Sequence, residues 1–303
     1  MGWMKSADRW RWWGLAIVAC SSVAARAEQP PRTGGEDRPV QEFVRVVRSD
    51  DGTPIRLETA VVRYVPANEP VRGLTVDLIG AVHVADAMYY QQLNKRFADY
   101  DAVLYELVAS EEARVPKGGQ PQNRHPVAAA QGGMTSVLEL AHQLEHIDYT
   151  RDNLVHADMS PEEFAASMKE HGESFSQMFF RMMGQSLAQQ NAVSGGTGQS
   201  RLLLALFARD RALLLKRAMA EQFEGMEGAL SIFDGEDGST LITGRNRKAL
   251  AVLKRQLDAG RKRVGIFYGA GHMRDFDRRL QDEFQLRRTS TEWLQAWDMQ
   301  GRK

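Results

Sequence analysis

Apolar and polar positions alternate along the chain in blocks that read as short strands and amphipathic helices. Residues 44–65 predict a β-hairpin, since β-branched runs at 44–47 and 60–64 flank the turn Asp50-Asp51-Gly52. A buried run at 74–79 ends in Gly80-Ala81-Val82-His83. Asp86 is placed to cap a following helix whose Tyr89, Leu93 and Phe97 recur every four residues. The next apolar run, 102–108, carries one carboxylate, Glu106. Strand, helix and strand in this order predict a βαβ unit with a parallel pair. The pattern returns at 264–268, a strand ending in Gly269-Ala270-Gly271-His272. Phe276, Leu280 and Phe284 follow at the same interval, and an extended segment begins near Leu286. The expected fold class is therefore α/β, with two related strand–helix–strand halves.

Between the halves, residues of about 110–240 read as a long, mostly helical insertion in a single domain spanning 41–303. Ser136 with Glu139 forms one capping box, and Ser160 with Glu163 forms another with Pro161 at the first helical position. Residues 191–200 are a Gly/Ser-rich linker, and seven of the 13 methionines fall between residues 159 and 226. Methionine suits either a loosely specified core or an adaptable lid or groove. The apolar stretch 202–215 is broken by Arg209, Asp210 and Arg211, which favours a buried or amphipathic helix over a membrane span.

The N-terminus changes the picture. Lys5, Arg9 and Arg11 precede a short apolar run at 12–19, and Ala25-Arg26-Ala27 offers a cleavage site, so residues 1–27 read as a signal peptide. Residues 17–20, ending in Cys20, equally resemble a lipobox, which would give a lipid anchor at Cys20 instead. Both readings put the mature chain outside the cytoplasm, in the periplasm, secreted or lipid-anchored. Cys20 is the single cysteine, so no disulfide is available and a hydrophobic core must hold the fold. Residues 28–40 read as a disordered lead-in. With 39 basic and 39 acidic side chains, 43% hydrophobic and 26% charged residues, the composition is that of a globular protein. The balance gives no field that would draw nucleic acid.

Strand ends at the carboxyl edge of a parallel sheet are where ligands collect. His83 and His272 both follow such ends, and Gly80 and Gly269 allow tight turns with room for a ligand beside the backbone. Glu106, in an apolar strand, needs a partner. Two imidazoles and a carboxylate on one rim predict a divalent-metal site, with the His83 and His272 rings within about 8 Å of each other and Glu106 adjacent. The bland alternatives are structural histidines and a Glu106 paired with an arginine. His142-Gln143-Leu144-Glu145-His146 spells the H-x-x-E-H zinc motif. A helical stripe of Val137, Leu140, Leu144 and Ile147 would turn His142 and His146 to solvent and make them dispensable. Asp234, Glu236 and Asp237 lack EF-hand spacing. His156 and Asp158 could support a site or merely cap the next helix.

The segments LIGAVHVADAMYYQQLNKRFADYDAVLYELV at 78–108, GRNRKAL at 244–250 and VGIFYGAGHMRDFDRRL at 264–280 together resemble the conserved blocks of the TraB/PrgY/GumN family. The resemblance implies a fold related to the erythromycin-esterase and ChaN-like group. The animal Tiki relatives are metal-dependent proteases using manganese or cobalt; zinc is an alternative cofactor here. By this resemblance the metal ligands are His83, His272 and Glu106, and the catalytic set is Glu106, His83 and Arg245. Arg245 and Asn246 by the same resemblance, and Gly80 and Gly269 by their place at the strand ends, are the expected substrate-binding residues. Where the family pattern carries Glu before the Arg-Asn pair, this chain has Gly244. Arg245 suits an oxyanion or carboxylate, although a solvated place beside Arg247 and Lys248 is its bland alternative.

The expectation is an extracytoplasmic metal-dependent hydrolase acting on a peptide or small-molecule substrate, with Glu106 as ligand or as base. Two alternatives stand beside it: a non-catalytic protein that sequesters a peptide or small ligand, and a metal-free esterase with His83 as base and Glu106 orienting it. The oligomeric state has no signature in the sequence.

Overall fold

The computed structural model describes residues 43–68, 73–110, 113, 115–118, 140–171, 210–230 and 239–301. The predicted signal peptide with Cys20, the lead-in 28–40, the Ser136–Glu139 box, the linker 191–200 and the acidic run at 234–237 lie outside them.

The hairpin forms as expected. Strand β1 (Val44–Arg48) pairs antiparallel with β2 (Pro54–Pro66), and Gly52 takes the left-handed conformation that the turn requires, at φ 81°. One edge of β2 carries β1 and then β3 (Thr75–Ala81), both antiparallel. Its other edge carries β9 (Leu286–Asp298) over nearly its whole length. Beyond β3 the sheet continues in parallel through β8 (Arg263–Gly269), β5 (Ala102–Tyr105) and β7 (Leu154–His156). Only β2 opposes the common direction. The predicted β3–helix–β5 unit is a crossover, but β8 sits between its two strands. A short pair, β4 (Val84–Ala85) with β6 (Ala141–His142), lies off the main sheet.

Alternation along the strands makes two cores. Ile79, Val103, Tyr105 and Phe267 face one side and pack with Tyr89, Tyr90, Leu93 and Phe97 of helix α1 (Ala87–Phe97) and with Trp297. Leu78, Leu104, Ile266 and Tyr268 face the other. There they meet helices α5 (Arg245–Asp258) and α6 (Met273–Asp282) through Leu250, Leu253, Phe276 and Leu280. The molecule is thus an α/β fold with helices on both faces of one sheet. Phe284, expected on the α6 stripe, lies past the end of that helix and still packs against the second core. The described residues all belong to one compact unit, Val40–Lys303.

Three expectations differ from the structure. Asp86 stands at the N-cap of α1 but makes no side-chain cap; its carboxylate takes Lys216 Nζ at 2.8 Å and the Asp298 N–H at 2.5 Å instead. Lys216 belongs to α4 (Arg211–Leu230), so Asp86 ties that helix and β9 to the start of α1. The helical stripe through His142 does not form over the described residues. Residues 141–142 are strand, and α2 spans only Gln143–His146, so His142 is a strand end that caps a short helix. Pairing with Val84–Ala85 outweighs the helical period there. Finally, the stretch read as insertion contributes β7 to the main sheet, a three-residue strand too short to show a period. The Ser160 box is present in full, with Pro161 opening α3 (Pro161–Glu170). Among the described residues no helix is long and apolar enough to cross a membrane.

Candidate functional site

The turn carrying His83 is held at almost every carbonyl. Tyr89 Oη donates to Gly80 O at 3.0 Å and Tyr90 Oη to Val82 O at 3.1 Å, both from α1. The Gln143 N–H donates to His83 O at 2.9 Å and Trp297 Nε1 to Val84 O at 2.7 Å. His83 itself is exposed, rising from this fixed backbone. Gly80 is buried inside β3; a methyl there would lie 3.3 Å from Ala60 O and 3.7 Å from Phe43 O. Its smallness serves the approach of β2, and the structure does not bring it to the rim.

Gly269 does reach the rim. A methyl on Gly269 would stand 3.2 Å from Glu106 Oε2, 3.8 Å from His272 Cδ2 and 3.9 Å from His83 Nε2. Three side chains from β5 and two separate turns therefore close on one point. The two rings meet within the expected distance of about 8 Å. Glu106 follows β5 directly, and Gly269 N donates to its Oε2 at 2.6 Å. His272 Nε2 is 3.5 Å from Glu106 Oε1.

Asn246 fixes His272 from behind. Its Nδ2 donates to His272 O at 3.1 Å and to Asp275 Oδ2 at 2.9 Å, so its oxygen is the atom 2.6 Å from His272 Nδ1. That assignment puts the ring proton on Nδ1 and directs Nε2 toward Glu106. Asn246 is wholly buried and His272 nearly so. Asn246 therefore orients the ring rather than lining an open cleft.

Arg245 is neither solvated nor in front of the cleft. One turn of π-helix, Thr240–Gly244, precedes α5 and delivers Arg245 behind Glu106. Its Nη2 donates to Glu106 Oε1 at 2.7 Å and to Asp158 Oδ2 at 2.5 Å, while Nε donates to Asp158 Oδ1 at 2.9 Å. Gly244 is also buried; a methyl there would come within 3.2 Å of Met159 Cε, so no larger side chain fits without displacing it.

The electrostatics follow. Burial acts to raise the pKa of Glu106, but His272, Arg245 and His83 outweigh it and hold the carboxyl far below the usual range. Burial also opposes the charge on Arg245, and Asp158 and Glu106 reverse that. Tyr268 is pushed well above its ordinary value by burial, then by Asp158 and Glu106. It stays a phenol, donating to Ala157 O at 2.5 Å.

Two residues gain a place that local pattern did not give them. Asp158, one of two readings open at that position, is completely buried against Arg245. His142, expected at the surface, is half-buried; burial lowers its pKa, opposed by Glu145 and reinforced by His83. His146 is exposed, as expected, and stacks on Tyr90 at 6.0 Å. His156 Nε2 lies 2.6 Å from Leu107 O, a local contact that fixes the chain after Glu106.

A divalent cation is the cofactor to test against these atoms. The donors fit in kind: with its proton on Nδ1, a deprotonated Nε2 of His272 would offer a lone pair, Glu106 Oε1 another, and His83 Nε2 a third. Among the described residues, no three His, Cys, Asp or Glu side chains already form a metal-holding cluster. The chain matches no family model, no curated protein and no solved structure in comparisons with each.

Proposed function

We propose that this rim is the active site of a metal-dependent hydrolase acting on a peptide or other small-molecule substrate. The carrying observation is the orientation of His272: Asn246 holds Nδ1, so Nε2 faces Glu106 Oε1 at 3.5 Å, with the exposed His83 beside both. His83, His272 and Glu106 would hold the cation, manganese or cobalt by family resemblance, with zinc an alternative. When bound, such an ion would supply Lewis acidity and an activated water. Glu106, held ionised by its neighbours, suits a ligand better than a base, because a carboxylate of so low a pKa takes a proton poorly near neutrality. Arg245 and Asn246 then support the site from behind, rather than gripping substrate.

The same resemblance carries the proposal that the fold comprises two related halves of the erythromycin-esterase and ChaN-like kind, and the basic–apolar N-terminus carries the proposal that the chain works outside the cytoplasm. A metal-free reading has one observation in its favour: both Glu106 oxygens already accept hydrogen bonds, from Arg245 and Gly269. Glu106 would then orient an imidazole, and His83 would be the base.

Peptide-library cleavage by the full chain with added manganese, cobalt or zinc tests these readings. Wild type should cleave. Glu106→Gln, His83→Ala and His272→Ala should each lose about 10² or more in turnover, the scale of a lost catalytic group. The two histidine changes together should cost little beyond either alone, because ligands of one ion act as a unit. Cleavage that persists in chelator would favour the metal-free reading. Tight retention of an unchanged ligand would favour a sequestering protein. Cleavage surviving all three substitutions would sink the site.

A further inference from the structure

We propose that Asp158 is a positioning residue of this site, engaging Arg245 so that the guanidinium does not cancel the negative charge that Glu106 turns toward the two imidazoles. The inference rests on reading the rim as a cation-holding hydrolytic site.

Asp158 follows β7, and its side chain has no solvent exposure. A buried carboxylate needs full compensation, and both of its oxygens have it: Nε and Nη2 of Arg245 form a bidentate fork, and the Met159 N–H adds a third bond to Oδ1 at 2.8 Å. The Tyr268 phenol donates to the preceding carbonyl, Ala157 O, which anchors this short segment to β8. Arg245 Nη2 therefore serves two carboxylates, one on each side, and Asp158 takes two of the three guanidinium bonds.

The sign of the local charge follows. Glu106 and Asp158 contribute two negative charges and Arg245 one positive, so the trio keeps one net negative charge at the end nearest the histidines. Without Asp158 the guanidinium would neutralise Glu106 alone, and the rim would lose its attraction for a cation. The hydrogen bonds of Asp158 go to Arg245 and to the Met159 N–H, so its influence on Glu106 passes through Arg245. A purely structural role, neutralising a buried arginine, would end at Arg245 and leave Glu106 unaffected.

Two measurements on the full chain separate these roles. In urea unfolding, Asp158→Asn and Glu106→Gln should be non-additive when Arg245 is present and additive in an Arg245→Met background. In titrations with manganese alone, Asp158→Asn should weaken binding by about tenfold or more, a loss typical of outer partners of a metal site. Adding Arg245→Met to Asp158→Asn should bring the affinity back to within a few-fold, since the net charge is restored. Additivity in the presence of Arg245, or no recovery in the double variant, would overturn the proposal. If wild type binds no manganese, cobalt or zinc, the metal reading fails, and the unfolding cycle still decides whether Asp158 reaches Glu106. Should Asp158→Asn not fold alone, the joint change with Arg245→Met removes the buried pair together and still decides: manganese affinity should stay within a few-fold of wild type, and a loss of about tenfold or more would overturn the proposal.

Discussion

Glu106 accepts hydrogen bonds from Arg245 and Gly269 and lies 3.5 Å from His272 Nε2, and that enclosure makes a pH-dependent prediction. Its folded pKa lies below its ordinary value of 4.5, so its ionised form contributes stability that is fully present above that value. The contribution is lost as pH falls from about 4.5 toward the depressed folded value. Urea unfolding of wild type and Glu106→Gln should therefore show a stability gap that is constant near neutrality and narrows below about pH 4.5. A gap that stays the same down to pH 3 would mean that His272 and Arg245 do not hold the carboxylate ionised. At this scale the sequence showed that Glu106 required a partner. It did not show which, because Arg245 lies 139 residues away along the chain.

At the scale of elements, the two Gly-x-x-His turns look alike in sequence and use their first glycines differently. Gly80 admits the backbone of β2, so Gly80→Ala should cost about 1–3 kcal/mol of stability through overpacking. Gly269 has φ −51° and ψ 140°, which alanine adopts freely. Gly269→Ala should stay within about 1 kcal/mol of wild type. Its methyl would occupy the point where Glu106, His272 and His83 meet, and ligand binding or turnover should fall by about 10²-fold. Thermal melts and manganese titrations on the pair check this. A stability loss in Gly269→Ala matching that of Gly80→Ala, with function intact, would move both glycines into the scaffold. The strand–turn–helix pattern was legible because it depends on near neighbours. The short pairing of His142 with Val84 was not, since two-residue strands carry no period.

For the whole molecule, the closing strand decides whether the sheet holds. β9 covers the free edge of β2, and Leu294, Ala296, Trp297 and Met299 enter the same core as Tyr89 and Phe267. Trp297 also donates to Val84 O beside His83, so the far end of the chain braces the first turn. Truncation after residue 285 should abolish cooperative unfolding, because it opens a long sheet edge and removes a buried tryptophan, a change of several kcal/mol in a marginally stable fold. Circular dichroism with a urea melt tests this. A truncated chain that unfolds in one sharp transition would show that β9 is an accessory.

The sequence by itself determined the hairpin, the strand ends, the two glycine–histidine turns and the amphipathic faces of α1 and α6. These follow from local sterics and from the period of apolar side chains, both of which are written in consecutive residues. Only the tertiary structure decided that β8 enters between β3 and β5, that Arg245 stands behind Glu106, and that Asp158 shares its guanidinium across 87 residues of chain. The last two turn on buried charges finding compensation. A local pattern can show that a charge is buried, but only the packed fold brings its partner within reach.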